Sequence, residues 1–251
     1  MSTLAMDLRS SFRSLSRNLD FSLVVISTLT LRIGGCTAIF SFIDNVLLKP
    51  LPYPQAERLV VVCETNPEVL HGFCAASPGN LNLWRRHSCG FEALGLARSW
   101  PFRLTGAGRS AGVDGGIAAG DLFGVFGARP QLGRLLTPDD MTAGHEQVTV
   151  LSHGLWQSHF GGDPGIVGRT LSLDDQTYTV VGVLPPDFAV PGLERVPLWI
   201  PLWPERAEWR QWRGLRPFGR LADGVGLAAA REEMASLQAR LAAEFPDTNE
   251  G

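Results

Sequence analysis

An apolar run near the start of the chain is the strongest constraint on its fold. Residues 21–43 read FSLVVISTLTLRIGGCTAIFSFI and carry one charge, Arg32. A helix of this length spans roughly 34 Å, enough for the hydrocarbon core of a bilayer. A central Arg costs about 2.5–3.5 kcal/mol, and the Leu, Ile, Phe and Val residues return roughly 4–7 kcal/mol. The sequence therefore predicts a transmembrane helix over 21–47, with Arg32 as an intramembrane charge facing another helix or a water-filled cavity.

The basic residues around this segment are unevenly distributed. Arg9, Arg13 and Arg17 precede it, whereas Lys49 and Arg58 follow it. The positive-inside rule then predicts a single-pass protein of the inner (plasma) membrane, with a cytoplasmic N-terminus and residues after about 48 outside. Apolar residues recur at helical spacing before the span, so residues 1–20 are predicted to be a cytoplasmic amphipathic segment on the membrane surface. The alternative for residues 1–20 is a solvated basic leader that binds no partner.

Small residues line one face of the predicted span. Gly34, Ala38 and Ser41 follow one another at spacings of four and three, which lets another helix approach closely. The stretch that ends in Cys36 also loosely resembles a bacterial lipoprotein cleavage box. Arg32 before it and the apolar residues after it argue against that interpretation. The small residues are therefore predicted to pack against another membrane helix.

The remainder of the chain has the pattern of a mixed α+β domain. Prolines within 48–54 cannot continue a helix and predict a stiff connector, followed by one domain over 55–250. Alternating apolar runs predict strands, and Ser-capped amphipathic runs predict helices. Strands are predicted at 58–64, 91–98, 110–118, 147–151, 198–202 and 215–221, a hairpin at 168–184, and helices at 77–87, 121–126, 152–160 and 227–244. The buried stripe of the last helix is predicted to be Leu227, Ala230, Met234, Leu237, Leu241 and Phe245.

Composition and motifs exclude several classes of function. A net charge of −3 offers no basic surface for nucleic acid. A Walker A loop needs Gly-Lys-Ser/Thr, and the only lysine, Lys49, lies between Leu and Pro. The four cysteines include no C-x-x-C pair, and the histidines lack metal-ligand spacing. No enzymatic activity, metal or cofactor is therefore predicted for this chain.

Four further groups of residues call for interpretation. Cys63 and Cys74 either pair, if the domain lies outside the cytoplasm, or stay as idle thiols. Ser152-His153 suggests a hydrolase, but no G-x-S-x-G elbow surrounds it, and a helix N-cap explains Ser152. Asp139-Asp140 and Asp174-Asp175 are predicted to be turn acids. Trp199, Trp203, Trp209 and Trp212 form either an interaction surface or core residues beside a solvated loop.

Several stretches, all in one order, resemble the MacB/FtsX-type permeases of ABC transporters, especially the duplicated orphan permeases. The span ends in TAIFS (37–41), and NVLLKPLPYP (45–54) is similar to the first helix and connector of that group. The domain contains LSHGLW (151–156), FGGDP (160–164), VGRTL (167–171), YTVVGVLPPDF (178–188) and EFPDTN (244–249). The resemblance covers essentially the whole chain and implies a MacB-like periplasmic core domain of two subdomains after one transmembrane helix.

The resemblance also implies a role and partners. It implies a non-catalytic permease-type subunit that couples ATP hydrolysis by a separate ABC ATPase to movement of the extracytoplasmic domain for export. ATP is then bound by that other subunit, and Arg9, Arg13 and Arg17 face it. Further partners are membrane lipid, a second permease chain or further permease helices, and a periplasmic adaptor. Family members usually continue into three more helices, so a fragment or a split permease is expected.

A stand-alone anchored or lipoprotein binding domain is the alternative function. It shares the extracytoplasmic domain with the permease but needs no ATPase. A lipid-modified Cys36 at a new N-terminus would favour it. An extracytoplasmic hydrolase is a third hypothesis, which rests on Ser152-His153 alone.

Overall fold

The computed structural model of the chain describes residues 19–43, 53–64, 74–105, 111–202 and 212–244. It divides into two compact units, Met1–Leu51 and Pro52–Gly251. Several residues singled out by the sequence lie outside the described ranges, namely Arg9, Arg13, Arg17, Lys49, Trp203, Trp209 and Phe245.

The first unit contains one described helix, α1, which spans Leu19–Ile43 and overlaps the predicted membrane segment. Eight of the eleven large apolar side chains that are exposed in the described residues lie on it, from Leu23 to Phe40. The hydroxyls of Thr28 and Thr37 donate to the carbonyl oxygens of Val24 and Ile33, at 2.7 and 2.8 Å. Among the helices in the described ranges, none is found to be both long and apolar enough to cross a membrane.

The second unit is built on a mixed sheet with helices packed against it. Its described helices are α2 (Pro78–His87), α3 (Leu122–Val125), α4 (His153–Phe160) and α5 (Leu227–Glu244). The described strands are β1 (Leu59–Val60), β2 (Phe91–Thr105), β3 (Ala111–Gly120), β4 (Leu132–Gly133), β5 (Val148–Leu151), β6 (Thr170–Leu173), β7 (Gln176–Val183), β8 (Leu198–Pro201) and β9 (Arg216–Leu221). The predicted α+β class is confirmed.

The strand order in the sheet is β1-β9-β2-β3-β8-β5-β7-β4, and β6 pairs with both β2 and β7. The β3–β8 and β5–β7 pairs are parallel, and the other pairs are antiparallel. Because β6 joins β7 back to β2, six of the strands form a closed ring. Residues of the ring strands and of the helices belong to one apolar core, which includes Leu96, Leu104, Val150 and Leu198.

Strand β2 is longer than predicted, and it connects the two halves of the sheet. Residues Phe91–Ala97 pair with β9, whereas Leu104 and Thr105 pair with β6. Pro101 pairs only with Asp114 of β3, so its missing N–H faces no second strand. A single strand thus runs through both halves of the sheet, within the compact unit 52–251, and the two subdomains implied by the resemblance stay a prediction.

Local sequence signals account for several elements. The hydroxyl of Ser77 accepts from the N–H of Asn80 at 3.2 Å and caps α2, with Pro78 at its first position. Asp174 and Asp175 both have positive φ, 47° and 65°, and form the two-residue turn between β6 and β7. Such turns match the twist of paired strands, so the predicted hairpin forms where the sequence placed it.

Two other predictions need correction. The predicted strand 58–64 is reduced to Leu59–Val60, because Arg58 ends a 3-10 helix that begins at Ala56. Leu227 does not belong to the buried stripe of α5, because it lies in the first turn and is 56% exposed. Ala230, Leu237 and Leu241 are buried as predicted.

Asp140 stabilises the turn after β4. Its carboxylate accepts two hydrogen bonds from the guanidinium of Arg134, at 2.6 and 2.7 Å, and one from the N–H of Thr137 at 2.8 Å. Burial alone raises the pKa of this carboxyl, but the bonds from Arg134 and Thr137 outweigh burial and hold the pKa below its ordinary value. The turn role predicted for Asp140 is thus confirmed.

Asp140→Asn is expected to lower the free energy of unfolding by about 1–2 kcal/mol at pH 7. Because the folded pKa lies below the unfolded value, the carboxylate contributes fully above about pH 4, and its contribution is lost as the pH falls through the folded pKa. Urea unfolding of the unaltered protein and of Asp140→Asn, measured from pH 7 to pH 2, should show that their difference in unfolding free energy disappears in acid. Asp139→Asn, at an exposed neighbour, is the control, and a gap that stays constant in acid would contradict the assignment.

Candidate functional site

The second unit begins with an entry segment, residues 53–58, which is held tightly against the sheet. The hydroxyl of Tyr53 donates to the carbonyl oxygen of Ala189 at 2.9 Å, and its ring lies 5.0 Å from that of Phe126. Partial burial, and next the charge of Glu194, raise the pKa of Tyr53 above its ordinary value. The phenol therefore remains a neutral donor to Ala189 at physiological pH.

Two arginines complete the attachment of this segment. Arg220 of β9 is 3% exposed, and its guanidinium donates to the carbonyl oxygens of Val125 and Pro54, at 2.8 and 3.0 Å. The guanidinium of Arg58 donates to the carbonyl oxygen of Leu221 and pairs with the carboxylate of Glu92. We call Tyr53, Pro54, Arg58 and Arg220 the entry clasp. It ties the first residues of the unit to the strand β9 and to the helix α3.

A second polar network, centred on Glu64, is buried. Glu64 is 7% exposed, and its carboxylate accepts from the N–H of Ser77 at 2.7 Å, the amide of Asn80 at 3.0 Å and the guanidinium of Arg213 at 2.6 Å. Cys63 and Cys74 form a disulfide, with their Cα atoms 4.9 Å apart. Of the two interpretations of these cysteines, pairing is the one confirmed. A disulfide is typical of a domain outside the cytoplasm.

An apolar groove runs between residues 60–64 and α5. Its volume is about 620 Å³. Val60, Val62, Trp84, Phe91 and Met234 supply apolar walls, and Arg231 supplies a positive charge. Trp84 is 2% exposed, and its indole Nε1 is buried without a hydrogen-bond partner among the described residues.

Ser152 and His153 do not form a catalytic pair. The hydroxyl of Ser152 accepts from the N–H of Leu155 at 3.1 Å and caps α4. The Nδ1 atom of His153 lies 2.7 Å from Oε1 of Gln131, so the imidazole is engaged away from the serine. Both residues line a cleft of about 470 Å³ beside residues 184–197. A nucleophile needs its base within hydrogen-bond reach, which this arrangement does not provide.

The predicted tryptophan cluster divides between the core and a partly buried edge. Trp199 is 2% exposed and packs over Gly116, where a Cβ atom would come within 2.4 Å of its ring. The ring of Trp212 packs edge-on against that of Trp100. The guanidinium carbon of Arg98 lies 4.3 Å from the centroid of the Trp212 ring. Gly116 is thus required by packing.

The residues predicted to act within the membrane lie on α1, and nothing in the structure tests their roles. Gly34, Ala38 and Ser41 occupy one face of the helix, and an added Cβ at Gly34 would meet no atom within 4 Å. Arg32 is exposed. In the described ranges no three His, Cys, Asp or Glu side chains come together in a way that could hold a metal.

Sequence reasoning missed the entry clasp, the Glu64 network and Trp84. Only one of them left a signal, because Arg220 interrupts the apolar residues that follow Arg216 in β9. A charged residue in such a strand indicates a specific partner. The identity of that partner, two backbone carbonyls far away in sequence, is not encoded locally.

The profile of the MacB-like periplasmic core domain matches residues 22–237. The chain belongs to this family. Its second unit is the periplasmic domain of a MacB/FtsX-like ABC transporter permease and therefore lies outside the cytoplasm. The resemblance noted in the sequence is confirmed. The relatives are transporter permease domains. No curated protein matches the chain significantly.

Two solved structures show the same fold. The periplasmic region of MacB from Actinobacillus actinomycetemcomitans superposes with a TM-score of 0.56 at 17% identity, over 76% of this chain and 86% of that one. A domain assigned to a permease protein from Porphyromonas gingivalis gives a TM-score of 0.54 at 18% identity, over 80% of this chain and 89% of that one. At these identities the likeness concerns the fold of the core domain.

Proposed function

We propose that the chain is a membrane-anchored permease-type subunit whose periplasmic domain moves when a separate ABC ATPase hydrolyses ATP, and so drives export. The entry clasp is the observation that carries this proposal. In the proposed arrangement residues 1–20 are cytoplasmic, 21–47 cross the membrane, 48–54 connect and 55–250 form the moving domain. The chain itself binds no cofactor, since ATP belongs to the other subunit.

The entry clasp suits a domain that is moved through its first residues. Tyr53 and Pro54 are bonded to residues more than 100 positions later in the chain. Arg58 is bonded to β9 and β2. A displacement of residue 53 would therefore be passed to the central strands, whereas a free connector would absorb it as backbone rotation. Rigid elements that share buried hydrogen bonds move together.

Helix α1 supports the proposed anchor. Eight large apolar side chains between Leu23 and Phe40 are exposed on it, and an apolar environment is what such a surface requires. The Thr28 and Thr37 hydroxyls donate within the helix, as polar groups in hydrocarbon must. The proposed span, 21–47, extends past the described end of α1. Gly34, Ala38 and Ser41 would face a further permease helix, and Arg32 a partner or water.

Cysteine labelling in intact cells tests the topology with residues that the chain already has. Cys36 on α1 and Cys89 in the periplasmic domain are both free and exposed. We expect a membrane-impermeant maleimide to label Cys89 in intact spheroplasts, and Cys36 only after detergent is added. Cys36→Ser and Cys89→Ser variants assign each signal. Labelling of Cys89 only in opened cells, or a lipid-modified Cys36 at a new N-terminus, would overturn the arrangement.

Co-purification tests the coupling. The full chain, purified from native membranes, is expected to bring down an ABC ATPase and a permease partner, which mass spectrometry identifies. A chain in which Arg9, Arg13 and Arg17 are all changed to Gln should lose most of the ATPase, and Cys89 labelling of the same variant checks that the span keeps its orientation, which these charges also set. Recovery of the chain without any ATPase would reject the transporter role and leave the anchored binding domain.

A further inference from the structure

The helix α5 is attached to the domain by a thin apolar interface. Of its 18 residues only Ala230, Leu237 and Leu241 are buried, a smaller share than in α2, α3 or α4. The groove of about 620 Å³ lies between the first part of α5 and residues 60–64. Because elements with little buried apolar surface open at the lowest free energy, α5 is the helix of this unit that is easiest to detach.

The chain that leads into α5 has the features of a hinge. The helix follows directly on Gly226, which has no side chain to cap it. The side chains of Ser77, Asp121 and Ser152 cap α2, α3 and α4, by contrast. Gly224 has a φ of 75°, which glycine adopts most easily. An added Cβ at Gly224 or Gly226 would meet no atom within 4 Å, so the surroundings leave this segment room to turn.

One acid holds α5 to the segment between α2 and β2. The two carboxylate oxygens of Glu233 accept from the N–H groups of Cys89 and Gly90, at 2.6 and 2.8 Å. Hydrogen bonds to a charged acceptor are stronger than those between neutral groups. The carbonyl oxygen of Gly90 in turn accepts from the N–H of Ala222 at 2.8 Å, directly after β9. Glu233 thus ties the middle of α5 to backbone that is itself fixed to the sheet.

Gly90 lets the carboxylate come this close. A Cβ atom at this position would overlap Oε2 of Glu233, whereas the nearest atom of another residue, on Val225, would lie at an ordinary 3.7 Å. Gly90 does not have a positive φ, so its backbone conformation suits alanine. Since the carboxylate is the far end of a flexible side chain, an alanine here would displace it with little other change.

We propose that α5 is a strap that opens and closes on the domain, with Gly224 and Gly226 as its hinge and Glu233 as its latch. In the closed state the latch is engaged and α5 forms one wall of the groove. In the open state the N–H groups of residues 89 and 90 bind water, and the opposite wall, which includes Val62 and Trp84, becomes accessible. The strap works without an ATPase and goes beyond the proposed transporter role.

Native-state hydrogen exchange of the full chain in lipid nanodiscs tests the opening. We expect the amides of residues 231–238 to exchange together, at least tenfold faster than those of β5. Their exchange should also respond more weakly to low urea concentrations, because opening of one helix exposes less surface than global unfolding. Equal exchange of α5 and β5 at every urea concentration would overturn the strap, since α5 would then open only when the whole domain unfolds.

Variants test the latch. Glu233→Ala should speed exchange in α5 at least tenfold, a difference of about 1.4 kcal/mol in the free energy of opening. Glu232→Ala is the matched control, since it makes the same change at the exposed neighbour on the same helix and should have no such effect. Gly90→Ala should speed exchange as Glu233→Ala does. The double variant should be no faster than Glu233→Ala alone, because both changes break the same interaction.

The outcomes separate a latch from general destabilisation. Unchanged exchange in Glu233→Ala, or equal acceleration in Glu232→Ala, would overturn the role of Glu233. Effects that add in the double variant would contradict the latch, because Gly90→Ala would then act through another contact. Glu233→Ala decides the matter if Gly90→Ala does not fold. These measurements use no ATPase, so their failure would leave the proposed transporter role intact.

Discussion

Replacing Glu64 by Ala is expected to lower the free energy of unfolding by about 3–5 kcal/mol. The carboxylate is buried and accepts from a backbone N–H, an amide and a guanidinium. Its removal leaves Ser77 and Asn80 without this acceptor and Arg213 without its buried counter-charge. Removing one member of such a pair costs more than the pair itself contributes, because the remaining groups stay desolvated.

Urea unfolding of the full chain, followed by tryptophan fluorescence, measures this change. Glu57→Ala is the matched control, since Glu57 is an exposed acid in the entry segment and its loss should change the free energy by no more than about 0.5 kcal/mol. An effect of Glu64→Ala below about 1 kcal/mol would mean that water replaces the carboxylate. The network would then contribute little to the stability of the domain.

Replacing Arg220 by Met is expected to cost about 2–4 kcal/mol and to loosen the entry segment. Met keeps the aliphatic part of the side chain but cannot donate to the carbonyl oxygens of Val125 and Pro54. Relief from burying a charge offsets part of the lost bonding. Hydrogen exchange of residues 53–60, measured in the folded protein, should accelerate at least tenfold, more than exchange in β5.

Arg216→Met provides the comparison for this variant. Arg216 lies on the same strand but is exposed, so its replacement should leave both the stability and the exchange of the entry segment nearly unchanged. If Arg220→Met lost stability uniformly, with no preferential exchange at 53–60, the arginine would be a general core residue. The entry clasp would then not be what holds this segment.

Local elements were predictable because their causes lie within a few residues. Ser77 and Ser152 cap the helices that follow them, and the Asp174-Asp175 turn sets the register of β6 against β7. Leu227 shows the limit of periodicity. Its spacing fits the apolar stripe of α5, but it precedes the part of the helix that packs on the domain, so it remains exposed.

Elements that depend on distant partners were not predictable. Strand β4 has two residues and exists because it pairs with β7. The end of β2 remains a strand past Pro101 because β3 and β6 bond to it there. A two-residue strand has no periodicity, and Pro ends most strands, so each depends on a neighbour that only folding provides.

The sequence itself determined two features, namely the apolar run, which limits the choice of folds, and the α+β order of elements. Both could be predicted because hydrophobic periodicity and helix caps act over a few residues. The family is also written in the sequence, as ordered motifs that match over residues 22–237. Only the tertiary structure decided that β6 closes a ring of strands, that Arg220 holds the entry segment and that Glu64 is buried against Ser77, Asn80 and Arg213. Each of these depends on contacts between residues far apart in the chain, whose partners are chosen by packing and by the need to satisfy buried polar groups.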